Sequence, residues 1–164
     1  MGTKQVTVQR FSRISSKSFE EVLAGLARLV GHPDLRAFGR DISAAKTYPD
    51  VEKIVTAAIG SSGFMEFAHY DLGEILRKEL GDQAPRCVRL VIGNPLIMKQ
   101  MVEHVPDAGS YAPVTILVDE RPDGVHLSYD TMVGYLAPYG NAAAKKVAQE
   151  LDAKVEALLA AATG

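Results

Sequence analysis

Tryptophan is absent from the 164 residues, cysteine occurs once, and neither sign of charge is in clear excess. Each shortage excludes a class. The single thiol, Cys87, cannot staple the fold internally, which excludes a disulfide scaffold and points to a reducing, cytoplasmic setting. The 18 Lys and Arg against 20 Asp and Glu leave a net charge of −2. With a pI of about 6.1, the chain is not expected to bind nucleic acid electrostatically, since such domains usually have a pI above roughly 9. No apolar run approaches the roughly 18 residues of a membrane span, so no membrane partner is expected. The opening residues Met1 to Val6 lead into a polar, alternating stretch rather than an apolar signal segment. Histidines or cysteines at His-x-x-x-His or Cys-x-x-Cys spacing are also missing, so no metal is expected. Gly60-Ser61-Ser62-Gly63 matches neither a phosphate-binding glycine loop nor a nucleophile elbow and reads as a hinge.

What is present is an ordinary globular composition, 47% apolar and 23% charged, at a length suited to one domain over residues 1–164. Residues 5–9 alternate polar and apolar, the period of a half-buried strand. Ser18 and Glu21 form a capping box ahead of Phe19, Val22, Leu23, Leu26, Leu29 and Val30, which recur at helical spacing until Gly31 and Pro33. Residues 32–48 read as a long connection, and Pro49 opens a second helix with Val51, Ile54, Val55 and Ile59 on one stripe. A strand is expected over 64–70. A short helix capped by Asp71 follows, turning Leu72, Ile75, Leu76 and Leu80 inward and stopping at Gly81. A strand over 87–92 precedes a helix opened by Asn94-Pro95. Two β-branched runs, 114–120 and 125–131, flank Arg121-Pro122-Asp123-Gly124, a hairpin signal. Asn141 caps the last helix, over 141–162, with Val147, Leu151, Val155, Leu158 and Leu159 along one face. The order β-α-(α)-β-α-β-α-β-β-α predicts a single α+β domain with a mostly antiparallel sheet and helices packed on one face.

The motifs Gly63-Phe64, Lys78-Glu79-Leu80-Gly81, Gly93-Asn94-Pro95 and Val105-Pro106-Asp107, with Pro113 leading into 114–120, resemble the family of domain of unknown function 302 over roughly residues 63–160. The resemblance implies a compact α+β fold, a homodimer and no established activity. Many members carry cysteine where this chain has Gly93 and Val114, so thiol chemistry does not carry over. Residues 32–60 look like an insertion beside shorter members.

Strand periodicity sorts the polar residues. If helices cover the aliphatic side, the open side of the sheet gathers Thr7, Gln9, Arg89, Thr115, Asp119, His126, Ser128 and Asp130. Plain solvation accounts for such a face, as does a dimer surface. As a ligand site its candidates are Arg89, His126, Asp130, Ser128 and Thr115. Arg89 serves as anchor because a planar guanidinium fits a carboxylate or phosphate. A rival site uses His69 with Asp71 or Glu66 as acid and base, or as an anchor for a haem- or flavin-type cofactor. Cys87, flanked by Arg86 and Arg89, is either a thiol of lowered pKa or a small packed hydrophobe. The sequence thus favours a non-catalytic homodimeric module for a small polar or acidic ligand. An enzyme and a pure protein-interaction module are the alternatives.

Overall fold

The computed structural model describes residues 2–164. Its element order is β1 (Arg10–Ser15), α1 (Phe19–Leu29), α2 (Leu35–Ala44), α3 (Tyr48–Ala58), β2 (Met65–Asp71), α4 (Gly73–Leu80), β3 (Cys87–Gly93), α5 (Pro95–Val102), β4 (Val114–Arg121), β5 (Gly124–Asp130), α6 (Met132–Leu136) and α7 (Ala142–Thr163). The strands form one sheet in the order β1-β5-β4-β3-β2, antiparallel at every junction. β2 to β5 therefore run as a meander, and β1 closes the far edge beside β5. The hairpin at Pro122-Asp123 pairs Arg121 with Gly124, and Gly124 takes a φ of +135° that a side chain would resist.

Val88, Leu90, Ile92, Ile116, Val118, Leu127 and Tyr129 project from one side of the sheet and are buried with residues of α1 and α7. The capping box of α1 is formed, with Ser18 Oγ accepting from the Glu21 amide and a Glu21 carboxylate oxygen accepting from the Ser18 amide. Among the described residues no helix is long and apolar enough to cross a membrane.

Several expectations are corrected. The first strand lies at 10–15 rather than 5–9, because β5 ends at Asp130 and only Arg10 onward faces a strand it can pair with. The 32–48 connection contains α2, whose N-terminus is capped by Asp34 and which has no fully buried residue. Residues 60–63 form a hydrogen-bonded turn, with Gly60 and Gly31 amides both donating to the Phe64 carbonyl. α4 turns its aliphatic side outward, not inward: Leu72, Ile75, Leu76 and Leu80 are all exposed, Ile75 by 74%. α6 was too short to show a helical period, and a tertiary contact holds it in place.

That contact is Asp152, a buried carboxylate on α7. It accepts from the Tyr129 hydroxyl at 2.6 Å, the Met132 amide at 2.8 Å and the Val133 amide at 3.0 Å. Sheet, α6 and α7 thereby meet at one residue. Asp152→Ala leaves the Tyr129 hydroxyl and the Val133 amide without this acceptor and the Met132 amide with only the Tyr129 oxygen at 3.3 Å, and is expected to lower stability by about 3 kcal/mol in urea denaturation. A loss below about 1 kcal/mol would contradict this account.

Candidate functional site

The register places the predicted polar residues on one side of the sheet. Arg89 stands opposite Leu117, Leu117 opposite Ser128, and Asp119 opposite His126. Arg89 and His126 therefore share the flank away from α1 and α7. Thr7 and Gln9 precede β1 and leave this face to Arg10, Ser12 and Ile14.

Arg89, Thr115, Ser128 and Asp130 converge with Arg10 in a groove of about 310 Å³. Two aromatic side chains wall its end: Tyr111 and Tyr135 stack with ring centroids 4.5 Å apart and an 11° interplanar angle. His126 is not among the lining residues. Its Nε2 lies 2.8 Å from Asp123 Oδ1 at the hairpin turn, and that contact holds the Asp123 carboxyl below its ordinary range.

The two guanidinium groups of the groove are in different electrostatic states. Arg10 makes a bidentate pair with Asp130, Nε to Oδ1 at 2.7 Å and Nη2 to Oδ2 at 2.8 Å. This hydrogen bonding holds the Asp130 carboxyl below its usual value of 3.8. A depressed folded pKa means the pair is intact above that value and is lost only as pH falls through the lower, folded one. Arg89 donates from Nη2 to Thr115 Oγ1 at 3.3 Å, and among the described residues no carboxylate lies within ion-pairing distance of it. Asp119, the nearest acid along β4, is engaged by Arg121 at 2.5 Å. The Tyr135 phenol is pushed above its ordinary pKa by burial and then by the Asp130 charge, so at neutral pH it keeps its proton as a donor. An unpaired guanidinium, two hydroxyls and a protonated phenol can together receive an oxyanion.

The rival set is only partly assembled. His69 and Glu66 are three residues apart, a spacing that puts side chains on opposite faces of a regular strand. A bulge at Phe67 shifts the pairing so that Glu66 opposes Ile92 and His69 opposes Leu90, and both turn toward α1. His32, read in the sequence as a loop residue, joins them. Its Nδ1 is 4.0 Å from Glu66 Oε1, and His69 Nδ1 is 3.9 Å from the same oxygen. The three border a largely apolar cavity of about 390 Å³ beneath α1. Asp71 is elsewhere: it pairs with Arg77 at 2.6 Å, accepts from the Glu74 amide, and is held below its ordinary pKa chiefly by Arg77. Among the described residues no group of three or more His, Cys, Asp or Glu side chains is disposed to hold a metal ion. An axial ligand for a haem at this cavity would come from His32 or His69.

Arg10 carries no signal in the sequence, because only the β1–β5 register brings it to the groove; Tyr111 and Tyr135 are tyrosines that either pocket lining or ordinary packing accounts for. Cys87 is not activated. Burial, then the Asp119 and Asp71 charges, push its thiol above the ordinary value of 9.0, while Arg86 is occupied by Glu120 and Glu20. Cys87 is therefore expected to react with a disulfide reagent at neutral pH more slowly than free cysteine. A faster reaction would contradict the assignment.

A family model, domain of unknown function DUF302, matches residues 38–162. The matched stretch takes in all of α3 and most of α2, and so reaches further towards the N-terminus than the motifs of residues 63–160. No curated protein matches the chain. In the solved structures, the crystal structure of an uncharacterized conserved protein DUF302 from Bacillus stearothermophilus superposes with a TM-score of 0.65 at 14% identity, covering 93% of this chain and 97% of that one. At that identity the likeness speaks for the α+β architecture alone. The family match spans most of the sequence: this chain belongs to the domain of unknown function DUF302 family.

Proposed function

We propose that this protein is a non-catalytic, homodimeric module that binds a small acidic ligand in the groove on the open side of its sheet. The observation that carries the reading is Arg89: a guanidinium without a carboxylate partner, beside Thr115, in a concave site already bordered by Ser128 and Tyr135. Asp130 acts here as the neutralising partner of Arg10 rather than as a ligand contact, so one net positive charge faces the groove. His126 supports the hairpin turn. A cytoplasmic setting accords with the single, unreactive thiol.

Titration calorimetry with succinate and inorganic phosphate tests the anchor. Arg89→Ala is expected to weaken binding at least tenfold, since hydrogen bonds to a charged group are worth roughly 1.5–3 kcal/mol. Asp130→Asn releases Arg10 and is expected to tighten binding by about fivefold, the equivalent of the roughly 1 kcal/mol of an exposed pair. Unchanged affinity in Arg89→Ala removes the assignment. Binding lost instead in Glu66→Gln would move the site to the cavity beneath α1, the second reading that the His32–Glu66–His69 convergence supports.

Pairing with a second copy is supported by α4. Leu72, Ile75, Leu76 and Leu80 are exposed together with the adjoining Tyr70, and none of them lines the Arg89 groove. The helix carries Glu74 in its first turn and Arg77 and Lys78 in its last. An antiparallel, two-fold pairing of α4 with its copy sets acid against base at both ends and covers the apolar stripe. Ile75→Glu is expected to convert a dimer to a monomer in analytical ultracentrifugation with the fold intact. A wild-type protein that sediments as a monomer would end the proposal.

A further inference from the structure

A second cavity, of about 250 Å³, adjoins the groove and is unlike it chemically. Its walls are Phe67, Ile97, Met98, Met101 and Leu151, with little polar surface apart from Asn94. Asn94 is already committed, accepting from the Leu96 amide and donating to the Gly63 carbonyl. Pro113 and Val114 line both spaces, so the apolar cavity begins where the cationic groove ends. Gly93 lets Pro113 and Phe67 pack close to the end of β3: a Cβ there would lie 3.1 Å from Pro113 Cβ and 3.4 Å from the Phe67 ring. Phe67 in turn is the extra residue of the β2 bulge, which frees its side chain from the regular pairing.

We propose that the ligand is an amphipathic monocarboxylic acid, its carboxylate on Arg89 and its aliphatic tail passing Pro113 into the cavity between Phe67, Met98 and Met101. This rests on the reading of the groove as an acid site and extends it to the class of acid. Charge and polarity argue for it together. One unpaired guanidinium suits one carboxylate, and the space continuing from it offers no partner for a second polar group. Unbranched thioether side chains adapt to a flexible chain, and two methionines three residues apart on α5 line this cavity. Taken together the two spaces, of about 310 and 250 Å³, fall in the size range of small-molecule sites.

The test is a chain-length series on the intact wild-type protein, with acetate, butyrate, hexanoate and octanoate titrated by NMR chemical-shift perturbation. Affinity is expected to climb with length by tenfold or more between acetate and octanoate, each buried methylene giving roughly fourfold at most. Met98→Trp, which fills the cavity from a half-buried position, is expected to flatten the series while acetate binding persists. Arg89→Ala is expected to weaken every member. A flat wild-type series with Arg89-dependent acetate binding overturns the tail site and leaves the acid groove standing. Octanoate binding unaffected by Arg89→Ala overturns the proposed carboxylate anchor. No binding by any member, with succinate and phosphate also silent, overturns both readings.

Discussion

The buried carboxylate of Asp152 is the constraint on which the arrangement of the groove depends. An ionised group removed from water is tolerated only when its lone pairs are used, and here a phenol and two consecutive amides use them. Burial and the adjacent charge keep the Tyr129 phenol protonated, so it remains a donor. The consequence reaches the opposite side of the sheet. The amides belong to the first turn of α6, and α6 carries Met132 and Tyr135, which line the groove. Tyr135 stacks on Tyr111, and Tyr111 bonds in turn to the Tyr139 hydroxyl at 3.2 Å. A helical segment of five residues has little stability of its own, and a carboxylate at its N-terminus supplies what its length does not.

The groove owes its charge to register as much as to residue type. Arg10 lies opposite Asp130 in the β1–β5 ladder and is neutralised there. Arg89 lies between Leu117 and Tyr70, so cross-strand pairing brings it no acid. A one-residue slip of β3 would turn Arg89 into the aliphatic core, and the continuous row Val88, Leu90, Ile92 prevents that slip. The same burial that secures the core therefore fixes the Arg89 cation on the opposite face.

The central strands were legible in the sequence because their period of two is strict. Val88, Leu90 and Ile92, then Ile116 and Val118, then Leu127 and Tyr129 define one side, and Arg89, Thr115, Ser128 and Asp130 follow on the other. Three features were not legible, each for a physical reason. β1 has no register of its own until β5 offers an edge, so the alternation of residues 5–9 was a local pattern without a partner. The outward leucines of α4 carry the same spacing as inward ones, since periodicity reports that a helix has an apolar side and not what covers it. The bulge at Phe67 inverts the usual strand parity, which is why Glu66 and His69 share a face. Asp152 did leave a signal: it occupies the buried arc of α7, four residues after Ala148 and three before Val155, where a carboxylate needs a reason to be.

The place of β1 at the sheet's edge has a kinetic corollary. β2 to β5 join neighbours along the chain, and each such pairing closes a short loop. Arg10 and Asp130 must meet across 120 positions, and the entropy of closing so long a loop is recovered only after the meander offers a finished edge. The groove thus acquires its second arginine last. Chains caught before that step would present Asp130 beside Arg89 with no net charge, where the mature groove carries one positive charge.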